Sequence, residues 1–164
     1  LTWDRHRGHG FSYDVTDLGF NYRLTEIASA LGIVQLRRLD TMNRQRANLV
    51  SEYRRRLEGI PGILCPFQHY PEGSSHHIMP VIVSGELDRT TLMASLKEEG
   101  IQTSIHYPPI HLFTYYRQTL GAARGSLPWT EFAGDHELTL PLYPGMTVSD
   151  VGYITDCIRE ITEQ

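Results

Sequence analysis

Lysine is almost missing from this chain: Lys97 is the only one among 164 residues, where a soluble domain of that length ordinarily holds several. Cysteine is scarce too. Cys65 and Cys157 lie far apart and form no C-x-x-C pair, which argues against a disulfide framework and leads to the expectation of reduced thiols in the cytoplasm. No apolar run approaches the ~20 residues a membrane-spanning helix needs. Positive charge is not in excess, since 15 Lys and Arg against 19 Asp and Glu leave a net charge of −4, and a nucleic-acid binder needs a concentrated positive field. The Arg54, Arg55 and Arg56 cluster sits in a helical stretch that also carries acids and reads as a solvated face. There is no Gly-x-Ser-x-Gly elbow for a serine hydrolase and no glutamate or cysteine at the spacing of a zinc hydrolase. Leu1 to Gly10 has neither the apolar centre nor the cleavage site of a signal peptide. With a start at Leu1 and the shortage of lysine, the expectation is a piece of a longer protein, long enough for one compact domain with some attached structure.

What is present is organised. Residues 1 to 20 are rich in Gly, His and Asp without a clean period. From Leu24 onward, Leu24, Ile27, Ala28, Leu31 and Val34 fall on one helical stripe, continued by Leu36, Leu39, Met42, Leu49, Val50, Tyr53 and Leu57, with Gly32 and Asp40 as candidate bends. Gly59, Pro61 and Gly62 stop it. His77 to Val83 reads as a strand in which Pro80 favours an edge or a bulge. Asp88 is placed to cap a helix with Leu92, Met93 and Leu96 on its apolar face and Gly100 at its end. Ile101 to His106 reads as a short strand ended by Pro108 and Pro109. Pro128 to His136 reads as a helix with proline in its first turn, followed by a short extended segment, Leu138 to Leu142, that Pro141 holds to an edge or a strand end. Thr147 and Asp150 have capping-box spacing ahead of a last helix with Val151, Ile154, Ile158 and Ile161 on one face. A long helix feeding strands that alternate with helices predicts an α/β or α+β layer structure.

Three stretches carry a resemblance. Gly19-Phe20-Asn21-Tyr22-Arg23-Leu24-Thr25-Glu26-Ile27, with Ala30-Leu31-Gly32 and Gln35-Leu36 after it, His106-Tyr107-Pro108-Pro109-Ile110-His111 with Tyr116-Arg117, and Leu140-Pro141-Leu142-Tyr143-Pro144-Gly145-Met146-Thr147 closely resemble, in the same order, runs of the DegT/DnrJ/EryC1/StrS sugar aminotransferases. The resemblance implies a fold-type I enzyme using pyridoxal 5'-phosphate. On it, residues 1–24 are a remnant of the large coenzyme-binding domain, 25–58 connecting helices, and 59–164 the small C-terminal α/β domain. It also implies a cytoplasmic homodimer that aminates a nucleotide-linked keto sugar with glutamate as the usual donor, in amino-sugar biosynthesis. Some relatives instead perform dehydration or act on cyclitols.

Transamination needs a lysine amine to hold the coenzyme and move a proton. In the family that lysine lies upstream of the Asn21 position, and Lys97, at the end of an amphipathic helix, lacks the surroundings of the family's lysine, so the chain alone is expected to be inactive. Asn21 matches the asparagine that reaches the coenzyme phosphate of the neighbouring subunit; capping of the following helix is the alternative. Arg23 suits a phosphate or carboxylate, or fastening of the turn. His106, Tyr107 and His111, beside a proline-broken strand end, match a stretch that approaches the sugar or nucleotide; a rigid surface turn is the alternative. Tyr13 falls where relatives place groups near the substrate diphosphate. The eight histidines also raise a metal site, but His76 and His77 point to opposite faces of a strand and the two prolines exclude a helical pairing of His106 with His111. A different class of reading is a non-catalytic module that binds nucleotide sugars or assembles with a separate subunit.

Overall fold

Helix α1 (Glu26–Leu57) starts where the sequence supplies a hydroxyl. Thr25 Oγ1 accepts the N–H of Ala28 at 3.2 Å, satisfying one of the donors that the first helical turn leaves open. The structure, a computed structural model, describes residues 17–20, 22–68 and 73–163. It divides the chain into two units, residues 1–37 and 38–164. In the first, the described residues are an extended lead-in and the opening turns of α1, and the apolar stripe foreseen there is bare: Ile27 is 83% exposed, and Leu24, Leu31 and Val34 also face solvent. α1 stays one continuous helix through Gly32 and Asp40. No helix among the described residues is long and apolar enough to cross a membrane.

The second unit holds the core. The last turns of α1 bury Leu49, Val50, Tyr53 and Leu57, and the Tyr53 hydroxyl, pushed up in pKa by burial, donates to the carbonyl of Pro141 at 2.9 Å. The chain then turns at Gly62, whose φ of +75° and approach to the Ser84 carbonyl, 2.8 Å from where a Cβ would stand, leave room for no side chain. Strands β1 (Ile63–Leu64), β2 (Met79–Val83) and β3 (Glu137–Leu140) form one antiparallel sheet in the order β1-β2-β3. Register sorts its faces. Met79, Val81 and Val83 share the core face with Leu138 and Leu140, while Pro80 and Ile82 lie opposite Thr139 and Glu137 on the other.

Helix α2 (Arg89–Glu98) is capped by Asp88, whose carboxylate accepts the Thr91 N–H at 2.8 Å. The capping box at Thr147 and Asp150 opens helix α5 (Val148–Thr162), which packs with α2 against the core face through Val151, Ile154 and Ile158. Each such side chain, fully buried, contributes about 1.5–3 kcal/mol. Between α2 and β3 run a 3-10 turn (Ile110–Leu112), helix α3 (Thr114–Leu120) and helix α4 (Pro128–His136), which begins on its proline.

Three expectations need correcting. Ile101 to His106 is not a strand: only Ser104 bridges, exchanging both backbone hydrogen bonds with Thr139, because Pro108 and Pro109 leave too little chain to extend the ladder. The first strand of that reading starts at Met79 rather than His77. Pro80, placed by sequence at an edge or a bulge, sits in regular register in the middle strand. It is tolerated because Thr139 spends its N–H and C=O on Ser104, making Pro80 and Thr139 a non-hydrogen-bonded pair. The proline nitrogen then faces the side on which β1 pairs only with Ile82 and Val83.

Candidate functional site

The non-core face of β3 is unusual because it carries buried polar groups: Glu137 and Thr139, both shut from solvent. Each has partners, as burial demands. Glu137 Oε2 accepts the backbone N–H of His106 at 2.8 Å, Glu137 Oε1 accepts the Thr139 hydroxyl in a short hydrogen bond, and Thr139 Oγ1 meets His106 Nδ1 at 2.9 Å. The His106–Tyr107 peptide is cis. His106 is half-buried, its ring edge-on to Tyr107 at 4.8 Å between centroids, and Tyr107 is 67% exposed.

The far end of the same segment is clamped. Pro109 is buried against α4 at Gly134, where a Cβ would come within 2.6 Å of the proline ring. The carbonyls of Gly134 and Glu137 both accept from Arg89 Nη1, at 2.7 and 3.1 Å, joining the start of α2 to the end of α4. His111 Nε2 lies 2.9 Å from Glu131 Oε1. That glutamate, 5% exposed on α4, also accepts the N–H of Gly125 on both oxygens at 2.9 and 2.8 Å and the N–H of Leu127 at 3.2 Å. These donors, the Gly125 N–H first and His111 second, hold its carboxyl below the ordinary carboxylate range. His111 is thus tied inward, while at the other end of the clamped segment the half-buried His106 ring rests on Thr139 and the Tyr107 ring is exposed.

Of the other residues singled out by sequence, Arg23 is exposed in the first unit, and Asn21 and Tyr13 lie outside the described residues. A groove of about 480 Å³ opens beside the segment, lined in part by Thr103, Ser104, Pro141, Tyr143 and Tyr153. A larger cleft of about 690 Å³ between α1 and residues 66–67 and 73–80, lined in part by Val50, Arg54, Pro66 and His76, is separate from it. No group of His, Cys, Asp and Glu able to hold a metal occurs among the described residues. Sequence reasoning missed Glu131, Glu137 and Thr139. The available signal was the polar, i and i+2 spacing of Glu137 and Thr139 inside the otherwise apolar Glu137-Leu138-Thr139-Leu140.

Fold and motif order together are those of the C-terminal portion of a pyridoxal-phosphate-dependent sugar aminotransferase. DesV from S. venezuelae superposes with a TM-score of 0.84 at 32% identity, covering 98% of this chain and 42% of its own. DesI, solved in the presence of its TDP-sugar product, superposes at 0.78 with 25% identity, covering 89% of this chain and 38% of its own. The spore coat polysaccharide biosynthesis protein SpsC of Bacillus subtilis is 30% identical over 98% of this chain and 43% of its own length. The chain belongs to the DegT/DnrJ/EryC1/StrS aminotransferase family, whose pattern it matches over residues 3–159, and it spans less than half the length of these relatives.

The family implies pyridoxal phosphate, and the described residues do not fit its covalent anchor. Lys97, the one lysine of the chain, is exposed in the last turn of α2 and borders only the open surface around Met93, Gly100 and Thr103.

Proposed function

We propose that this chain is the lid and tether of an aminotransferase that converts a keto group on a nucleotide-linked hexose to an amine, using pyridoxal phosphate and glutamate, in a cytoplasmic homodimer. The observation that carries the reading is the clamped segment from Ser104 to His111, which presents the His106 and Tyr107 rings from the family's sugar-facing motif on a rigid base. A rigid support matters because positioning a reactant can account for several kcal/mol of a barrier.

In this reading the coenzyme supplies the electron sink when bound, and the lysine that anchors it comes from outside these 164 residues. Asn21 donates its amide to the coenzyme phosphate of the neighbouring subunit, which makes each site depend on two chains. Arg23 takes a phosphate or a carboxylate of the ligand, and Tyr13 the substrate diphosphate. His106 and Tyr107 bind sugar hydroxyls, with His111 fastening the segment that carries them. The TDP-sugar of DesI supports a nucleotide-linked substrate.

The test is an assay of the polypeptide that includes this chain together with a coenzyme-binding part, against a panel of nucleotide-linked keto hexoses with glutamate. Amino-sugar product is expected there, and the 164-residue chain alone, mixed with pyridoxal phosphate, is expected to give neither product nor the visible absorbance of a lysine-bound coenzyme. Product from the chain alone would sink the lid-and-tether reading, and none from the complete polypeptide with any donor would sink the catalytic reading and favour a non-catalytic binding module.

A further inference from the structure

We infer that Glu137 and Thr139 form a positioning relay that sets the neutral His106 ring as its Nδ1–H tautomer and leaves Nε2 as a bare acceptor for a hydroxyl proton of the ligand. The inference deepens the proposed function, which supplies the ligand, but the relay itself stands on geometry alone.

Three residues, Glu137, Thr139 and His106, share a chain of protons. An ionised carboxylate only accepts. Glu137 uses one oxygen for the His106 backbone N–H and the other for the Thr139 hydroxyl. A hydroxyl has a single proton to give, so Thr139 Oγ1, having given it to Glu137, meets Nδ1 at 2.9 Å with a lone pair. Nδ1 must therefore carry the hydrogen. Ser104 Oγ, at 3.4 Å from the same nitrogen, is at the limit of a hydrogen bond and competes poorly with a partner at 2.9 Å. Among the described residues, Nε2 has no hydrogen-bond partner and the one buried side-chain nitrogen or oxygen without a partner is Arg54 Nε, so Nε2 is not sealed in.

The tautomer decides what the site recognises. A bare Nε2 accepts from a sugar hydroxyl or an amine and repels the oxygens of a phosphate, which have nothing to donate. The opposite tautomer would reverse that preference. The relay thus assigns His106 to the hexose ring rather than to the diphosphate.

The test is nitrogen-15 NMR of the histidine rings in the 164-residue chain at about pH 8.5, above the ordinary imidazole value. The wild-type His106 is expected to show a protonated Nδ1 and a bare Nε2. In Glu137→Gln the amide oxygen must serve the His106 N–H, so the NH2 group turns to Thr139, the hydroxyl reverses towards Nδ1, and the ring is expected to switch to its Nε2–H form. Thr139→Ser should keep the wild-type tautomer and Thr139→Val should lose its strong preference. These last two decide the matter if Glu137→Gln does not fold. A wild-type Nε2–H ring, an unchanged ring in folded Glu137→Gln, or equal tautomer ratios in the serine and valine variants would each overturn the relay. Failure of the aminotransferase assay with these tautomers as expected would instead remove the functional reading and leave the relay in place.

Discussion

Glu131 does the work of several loop residues at once. Its two oxygens gather the N–H groups of Gly125 and Leu127 and the ring of His111, so the carboxylate is preferred over the acid in the folded chain and its pKa falls. Linkage gives the sign. A carboxyl depressed on folding contributes stability that is complete above its unfolded value, about 4.3, and is lost as pH falls through the lower folded value. Glu131→Gln should therefore unfold at lower urea than wild type at pH 7, and the gap should narrow as pH is lowered from about 5 towards 3, where the wild-type carboxylate takes up its proton. Urea midpoints at each pH check this, and a gap that stays constant would mean the charge on Glu131 is irrelevant. His106, Tyr107 and His111 could be picked from the sequence because prolines mark their segment. Their supports could not: Glu131 is 20 residues from His111 and Glu137 is 31 residues from His106, and no local period connects partners that only tertiary folding brings together.

At the scale of elements, α4 is both a helix and a wall. Its start was legible in Pro128 and its length in the run to His136, as the capping at Asp88 and Thr147 was legible for α2 and α5. What was not legible is the surface it presents. Gly134 looks like a weak point in a helix, since glycine there costs about 1 kcal/mol against alanine, yet it is where Pro109 docks. In Gly134→Ala the propensity gain of about 1 kcal/mol meets a methyl placed 2.6 Å from a buried proline ring that has no rotamer to escape into. Overpacking of that kind costs about 1–3 kcal/mol, so a net loss of stability is expected, with the His106 and His111 signals shifting together. A more stable variant with those signals unmoved would show that α4 does not hold the segment. The β-branched Ile101, Thr103 and Ile105 suit extension, but from Ile101 to His106 only Ser104 bridges, and the ladder gives way to the turn into the two prolines.

The whole molecule is uneven in how its apolar surface is used. The stripe of α1 that the sequence shows as continuous splits: Leu49, Val50, Tyr53 and Leu57 are buried in the second unit, while Leu24, Ile27, Leu31 and Val34 in the first are open to solvent. The same period serves both, so the sequence reveals the stripe but not which partner covers which half. On the proposed function, the open half is the face that the coenzyme-binding part of the protein covers, and the two halves should answer differently to mutation. Replacing both Ile27 and Leu31 by Asp removes exposed side chains from the isolated chain and should change its unfolding free energy by no more than about 0.5 kcal/mol per site. Leu49→Ala, which empties buried space, should cost about 2–5 kcal/mol. In the complete enzyme the order is expected to reverse for function, the double Asp variant losing activity and assembly because two charges would be driven into a dry interface. Urea unfolding of the chain and sedimentation with activity of the complete protein measure the two sides. If the Asp pair proved silent in both, the first half of α1 would be a solvated tether rather than a covered face, and the proposed role of this chain as a tether packed beneath a larger domain would lose its physical basis.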